Sequence, residues 1–152
     1  EAHAAGARLI INDRADIAVL AGADGVHVGQ DDLPPGAVRR LVGPDAIVGL
    51  STHTTAQIEQ ALTEPIDYLA IGPVFATTTK ATGYEAVGYA AVRQAHDRAR
   101  ARDLPVVAIG GITLDTAPEV VAAGATAVAV ITDLMTPDPG ARARAYLARL
   151  SG

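Results

Sequence analysis

The residues able to do chemistry stand at the ends of apolar runs. Asn12 and Asp13 close "RLIINDR", Asp31 and Asp32 close "GVHVGQDD", Ser51 to Thr54 close "AIVGLSTHT", and Thr77 to Lys80 follow "YLAIGPVF". The chain has no cysteine, and its histidines form no metal-spaced pair. Carboxylates from two such ends suit a hard, oxygen-seeking cation such as Mg2+, which keeps several waters and meets substrate phosphates. Asp13 and one of Asp31 or Asp32 are the candidates. The competing role is structural: Asp13 would cap the helix opening at "RADIAVL", and Asp31 or Asp32 would cap a turn before "LPPG".

Thr77 to Lys80 supply hydroxyls, backbone amides and one mobile point charge, the chemistry of a phosphate cradle. A hydroxyl-rich surface turn is the plainer alternative. "GGIT" from Gly110 and "VITD" from Val130 end the last two apolar runs, where barrels commonly bind phosphate through backbone amides and a helix N-terminus. Glycine there lets the main chain approach an anion closely. His27 alternates with Val26 and Val28, so its imidazole points inward if the valines face outer helices. It is then either a substrate contact or a hydrogen-bonded interior histidine. His53 lies just past a strand end, and His3 and His96 are assigned to outer helices without a role.

These residues need a scaffold that gathers strand ends. Of 152 residues 49% are hydrophobic but only 3% aromatic, which implies a core of Ala, Val, Ile and Leu. Six apolar segments, the four above with "PVVAIGGIT" and "AVAVITD", alternate with Ala-rich stretches of helical period, and this alternation predicts βαβ units on a parallel sheet. "LAGADGVHV" and "AAGATAVAV" repeat one helix-to-strand passage. A TIM (β/α)8 barrel is favoured over an open doubly wound sheet because nearly every strand has a polar tail. Six strands fall short of the eight that close such a barrel. "EAHAAGA" has no initiator Met and reads as the last turns of a helix, so we expect a single domain over residues 1–152, an incomplete barrel with the first two βα units missing.

Composition also excludes. A net charge of −5 and a pI near 5.2 oppose broad nucleic-acid binding. The longest apolar run, Val120 to Ile131, is shorter than the roughly 20 residues of a membrane span, and no signal-peptide pattern opens the chain. Cytoplasmic residence is expected, and a homo-oligomer is allowed but not specified. The arginine-rich stretches read as outer helices burying Val92, Ala95 and Ala99, and Ala143, Tyr146, Leu147 and Leu150.

Taken in order, "LIINDR", "GADGVHVGQDDLP", "VGLSTHT", "IGPVFATTTK" and "VVAIGGI" resemble the thiamine phosphate synthase family nearly end to end. The resemblance implies a (β/α)8 enzyme that joins a pyrimidine methyl diphosphate to a thiazole phosphate with Mg2+, releasing pyrophosphate. It implies that Asn12 contacts the pyrimidine, Asp13 and Asp32 bind Mg2+, and Ser51 and Lys80 face the diphosphate as the catalytic pair. Thr77, Thr79, Gly111, Ile131 and Thr132 would hold the thiazole phosphate, with His27 beside the substrate. The family's Gln-x-Arg-x-Lys segment is not found here, so this stretch by itself is expected to have little synthase activity. Two alternatives are a thiazole tautomerase-like paralogue, which resembles the synthase but tends to carry His at the position of Pro73 and to lack the Asn-Asp pair, and a non-catalytic phosphate-ligand module.

Overall fold

The computed structural model describes residues 1–77 and 83–151. All six apolar segments are strands: β1 (Ile10–Asn12), β2 (Gly25–Val28), β3 (Ile47–Thr52), β4 (Tyr68–Ile71), β5 (Val106–Ile109) and β6 (Ala127–Ala129). Each pairs in parallel with the next, in the order of the chain. Parallel neighbours require crossovers, and five helices make them: α1 (Ala15–Ala21), α2 (Pro35–Val42), α3 (Thr55–Ala61), α4 (Gly88–Ala99) and α5 (Ala117–Ala122), followed by α6 (Pro139–Leu150). The repeated Ala-Gly-Ala passages lie where α1 and α5 end. The opening segment is only a 3-10 turn, His3–Ala5.

The strands alternate as a curled sheet with helices on one face should. Val26, Val28, Val48, Leu50, Leu69, Ile71, Val106 and Ala108 are buried, packed in one cluster with Val38, Ile58, Val92, Ala95, Ala99 and Val120 from the helices. The residues between them, among them His27, Ser51 and Ile109, turn to the opposite face and line a single cavity that touches the tails of all six strands. A flat sheet could not bring its first and last strands to one cavity. The six-strand sheet is therefore a partial barrel, concave toward these residues.

Helix α6 departs from expectation. Tyr146 is buried and Leu150 half-buried, but Ala143 is exposed and Leu147 is 67% exposed. The helix stands at the β6 edge with α5 as its helix neighbour, so only part of its apolar face finds cover.

The end of the sheet opposite the cavity is tied by carboxylates. Asp24 accepts hydrogen bonds from the Leu9 amide at 2.7 Å and from the His3 and Arg8 side chains. The Leu9 amide, then His3, hold its carboxyl down at about 2, against an ordinary value of 3.8. A depressed folded-state pKa gives stability that is complete above the unfolded value and is lost as pH falls through the folded one. Asp24→Asn should therefore flatten the fall in unfolding free energy between about pH 4 and about pH 2, measured by urea denaturation at each pH. An unchanged acid limb would assign that sensitivity elsewhere.

Candidate active site

The cavity encloses roughly 1100 Å3 and is bordered by Asn12, His27, Gln30, Asp31, Asp32, Ser51, His53, Thr77, Tyr84, Gly111, Ile131 and Thr132. Of the eleven residues to which the family resemblance gives a role, eight meet at one mouth: Asn12, His27, Asp32, Ser51, Thr77, Gly111, Ile131 and Thr132. Asp13 follows Asn12 directly but is not part of the lining. Thr79 and Lys80 lie outside the described residues.

Asp13 does not cap α1. The N-cap is Arg14, with no side-chain capping bond, while Asp13 adopts the left-handed conformation at φ 64 and its amide donates to the His27 carbonyl at 2.8 Å. That conformation is uncommon outside glycine, with Asp and Asn the usual exceptions, and it ends β1 while tying its tail to β2. Asp32 keeps part of its turn role, since its Oδ2 accepts the Gly29 amide at 2.7 Å. Among the described residues its Oδ1 makes no hydrogen bond. No group of three or more His, Asp or Glu side chains among the described residues could hold an ion. A cation here would draw on carboxylates from two neighbouring tails and take its other ligands from water or a bound anion, a donor set that suits Mg2+ and not Zn2+.

Ser51 occupies the inward face of β3. Its hydroxyl lies 2.8 Å from His27 Nε2, and its carbonyl accepts the Gln30 side-chain amide at 2.6 Å. His27 Nδ1 lies 2.8 Å from the Tyr68 hydroxyl. His27 is hydrogen-bonded inside the sheet, as one of its two sequence readings has it, and it also borders the cavity.

The double glycine after β5 serves a purpose that the sequence reading did not foresee. Gly111 has φ +65, and a Cβ on it would stand 2.7 Å from the Ala76 carbonyl oxygen and 2.9 Å from Phe75 Cβ. The close approach it permits is to the tail of β4, which keeps Thr77 at the mouth. The Gly72–Pro73 peptide in that tail is cis. Beyond β6, Ile131 and Thr132 lead into a 3-10 turn, Thr132–Leu134, not the α-helix N-terminus expected there.

Five participants go unmarked or undervalued in the sequence. His53 donates from Nδ1 to the Gly72 carbonyl at 2.5 Å, because a carbonyl can only accept, and its ring stacks on Tyr84 with centroids 3.8 Å apart. Gln57 caps α3 and donates to the Tyr84 hydroxyl at 3.1 Å. Gln30 and Tyr68 were also passed over. Tyr68 could have been found, because it alternates with Ala70 on the inward face; nothing local marks Tyr84.

A concave parallel sheet whose strand tails all border one cavity defines an α/β protein with a partial barrel of the (β/α) type, a class in which ligands bind at the strand C-termini. Residues 1–134 match the family model described as thiamine monophosphate synthase, and the chain belongs to that family. It is 48% identical over 139 residues to a thiamine-phosphate synthase of Koribacter versatilis, covering 91% of this chain and 64% of that protein. It is also 48% identical over 143 residues to a thiamine biosynthesis bifunctional protein ThiM/ThiE of Symbiobacterium thermophilum, covering 93% of this chain and 29% of that one. A solved thiamine phosphate pyrophosphorylase from Pyrococcus furiosus superposes with a TM-score of 0.84 at 29% identity, over 97% of this chain and 71% of its own. The chain thus spans less than two thirds of the length of these two curated relatives. Among the described residues no helix is long and apolar enough to cross a membrane.

Proposed function

We propose that the protein to which this chain belongs is a thiamine phosphate synthase, joining a pyrimidine methyl diphosphate to a thiazole phosphate and releasing pyrophosphate. The single observation that carries this is the convergence of Asn12, Asp32, Ser51 and Thr77 on one mouth in a chain of that family. The six strands would form part of a (β/α)8 barrel, residues 1–152 contributing one domain to it.

In this reading Asn12 orients the aminopyrimidine, and Asp13 and Asp32 hold Mg2+, which when bound offsets the charge of the departing pyrophosphate. Ser51 donates its hydroxyl proton to a diphosphate oxygen, and Lys80 adds a point charge to the same group. Thr77, Thr79, Gly111, Ile131 and Thr132 hold the thiazole phosphate through hydroxyls and main-chain amides. No protein nucleophile is needed: the C–O bond to pyrophosphate breaks, the electron-rich ring shares the positive charge left on the methylene, and the thiazole nitrogen lone pair forms the new C–N bond. Holding both substrates in line and excluding water supplies much of the rest.

Pro73, Asn12 and Asp13 favour this over a tautomerase-like activity. Incubation of the whole protein with both substrates should release pyrophosphate only when Mg2+ is present. Conversion of the thiazole without pyrophosphate release would support the tautomerase instead, and binding of both ligands without turnover would support a non-catalytic module.

A further inference from the structure

Strand register sets Asn12 of β1 beside His27 of β2, His27 beside Gly49 of β3, and Gly49 beside Tyr68 of β4. These four residues form one row across the concave sheet. Neighbouring strands stand about 4.8 Å apart, so His27 and Tyr68 are separated by a full strand. They meet because the residue between them has no side chain. A Cβ on Gly49 would lie 2.1 Å from Tyr68 Cζ and 2.4 Å from its hydroxyl oxygen. In that gap the two rings stack at 5.5 Å and 21°, with Tyr68 Oη 2.8 Å from His27 Nδ1. Ser51, two residues beyond Gly49 on the same face of β3, receives the other end of the imidazole at 2.8 Å.

A neutral imidazole carries one N–H, so it donates at one nitrogen and accepts at the other. Two protonation patterns satisfy the chain. If Tyr68 donates to Nδ1, then Nε2–H donates to Ser51 Oγ, and the serine keeps its own proton for a ligand. If Nδ1–H donates to Tyr68, the serine proton is used up on Nε2, and Ser51 turns only lone pairs toward the mouth. The first pattern attracts an anion and the second repels it. Among the described residues the Tyr68 hydroxyl has no hydrogen-bond partner other than His27, so His27 is the acceptor available for its proton. Burial pushes the Tyr68 hydroxyl up to about 12, so that proton is retained at neutral pH.

We propose that Tyr68 is a positioning residue: its hydroxyl holds the His27 proton on Nε2 and thereby aims the Ser51 hydroxyl proton into the cavity, toward an oxygen of an anionic substrate. The last step rests on the reading above, in which Ser51 faces the diphosphate. Gly49 is part of the same device, since it leaves the space in which Tyr68 reaches the histidine.

The test reads the tautomer directly. The chain has only four histidines, so a 15N-labelled sample gives a simple imidazole spectrum in which His27 is identified by its loss in His27→Asn. At a pH where the ring is neutral, the wild type should carry its proton on Nε2, and Tyr68→Phe should move a substantial share of it to Nδ1. Tyr68→Phe should also lower kcat about tenfold with KM for the thiazole phosphate unchanged. Tyr68→Phe combined with Ser51→Ala should be no slower than Ser51→Ala alone. A wild-type proton on Nδ1, a Tyr68→Phe spectrum identical to wild type, or additive losses in the double variant would overturn the relay. A whole protein that releases no pyrophosphate overturns the functional reading instead, and the spectrum then decides the relay by itself.

Discussion

Asp13→Asn and Asp32→Asn should each lower Mg2+-dependent pyrophosphate release by about a thousandfold, equivalent to about 4 kcal/mol of lost transition-state stabilisation. The structure makes asparagine the informative replacement at both positions. Asp13 sits at φ 64, a conformation asparagine tolerates as well as aspartate, so the tail of β1 should stay in place while its charge disappears. At Asp32 an amide oxygen can still accept the Gly29 amide that Oδ2 accepts now, so that turn should also survive. Both variants should therefore unfold within a few degrees of the wild type and differ from it in their Mg2+ dependence. Asp31→Asn is the control. Asp31 borders the cavity but is assigned no ligand role, and its loss should change the rate by less than about threefold. A large effect at Asp31 with a small one at Asp32 would reverse the assignment between the two neighbours.

The scaffold was legible because each strand carries its own signature. Val26 and Val28 flank His27, and this two-residue period announces both the strand and the face on which the histidine lies. Repetition of that unit pointed to a barrel, and the polar tails pointed to its mouth. Contacts made across strands were harder to read. Tyr68 reaches His27 only because of Gly49, which depends on a register that periodicity within a strand does not report. The aspartates show the same limit at closer range. Spacing alone could not exclude a helix cap at Asp13, because what removes that role is a left-handed backbone at the residue and a bond from its amide to the His27 carbonyl. At α6 the helical period was correct but its cover was not, since Leu147 belongs to the apolar face yet stands 67% exposed at the edge of the sheet.

Asp133→Ala should destabilise the fold by about 3 kcal/mol, with the loss concentrated at α6. Asp133 joins three elements. Its carboxylate accepts two hydrogen bonds from the Arg142 guanidinium at 3.1 and 2.8 Å, one from the Leu114 amide at 3.0 Å and one from the Tyr146 hydroxyl at 2.5 Å. Arg142, then Tyr146 and Leu114, hold the Asp133 carboxyl below its ordinary range against a smaller opposing effect of burial. Burial, then the bond to Asp133, pushes the Tyr146 hydroxyl far above its ordinary value. Alanine would leave the guanidinium, the phenol and the amide without their shared acceptor, whereas Asp133→Asn keeps an acceptor oxygen and should cost less than half as much. Because Asp133 directly follows Ile131 and Thr132, loosening it should also blur the mouth where those residues stand. Hydrogen exchange should report faster exchange of the α6 amides in Asp133→Ala, with those of β2 to β4 close to wild type. Equal acceleration throughout the sheet would mean that α6 and the strands unfold as one unit, and would refute the view of Asp133 as a local clamp between the last helix and the cavity rim.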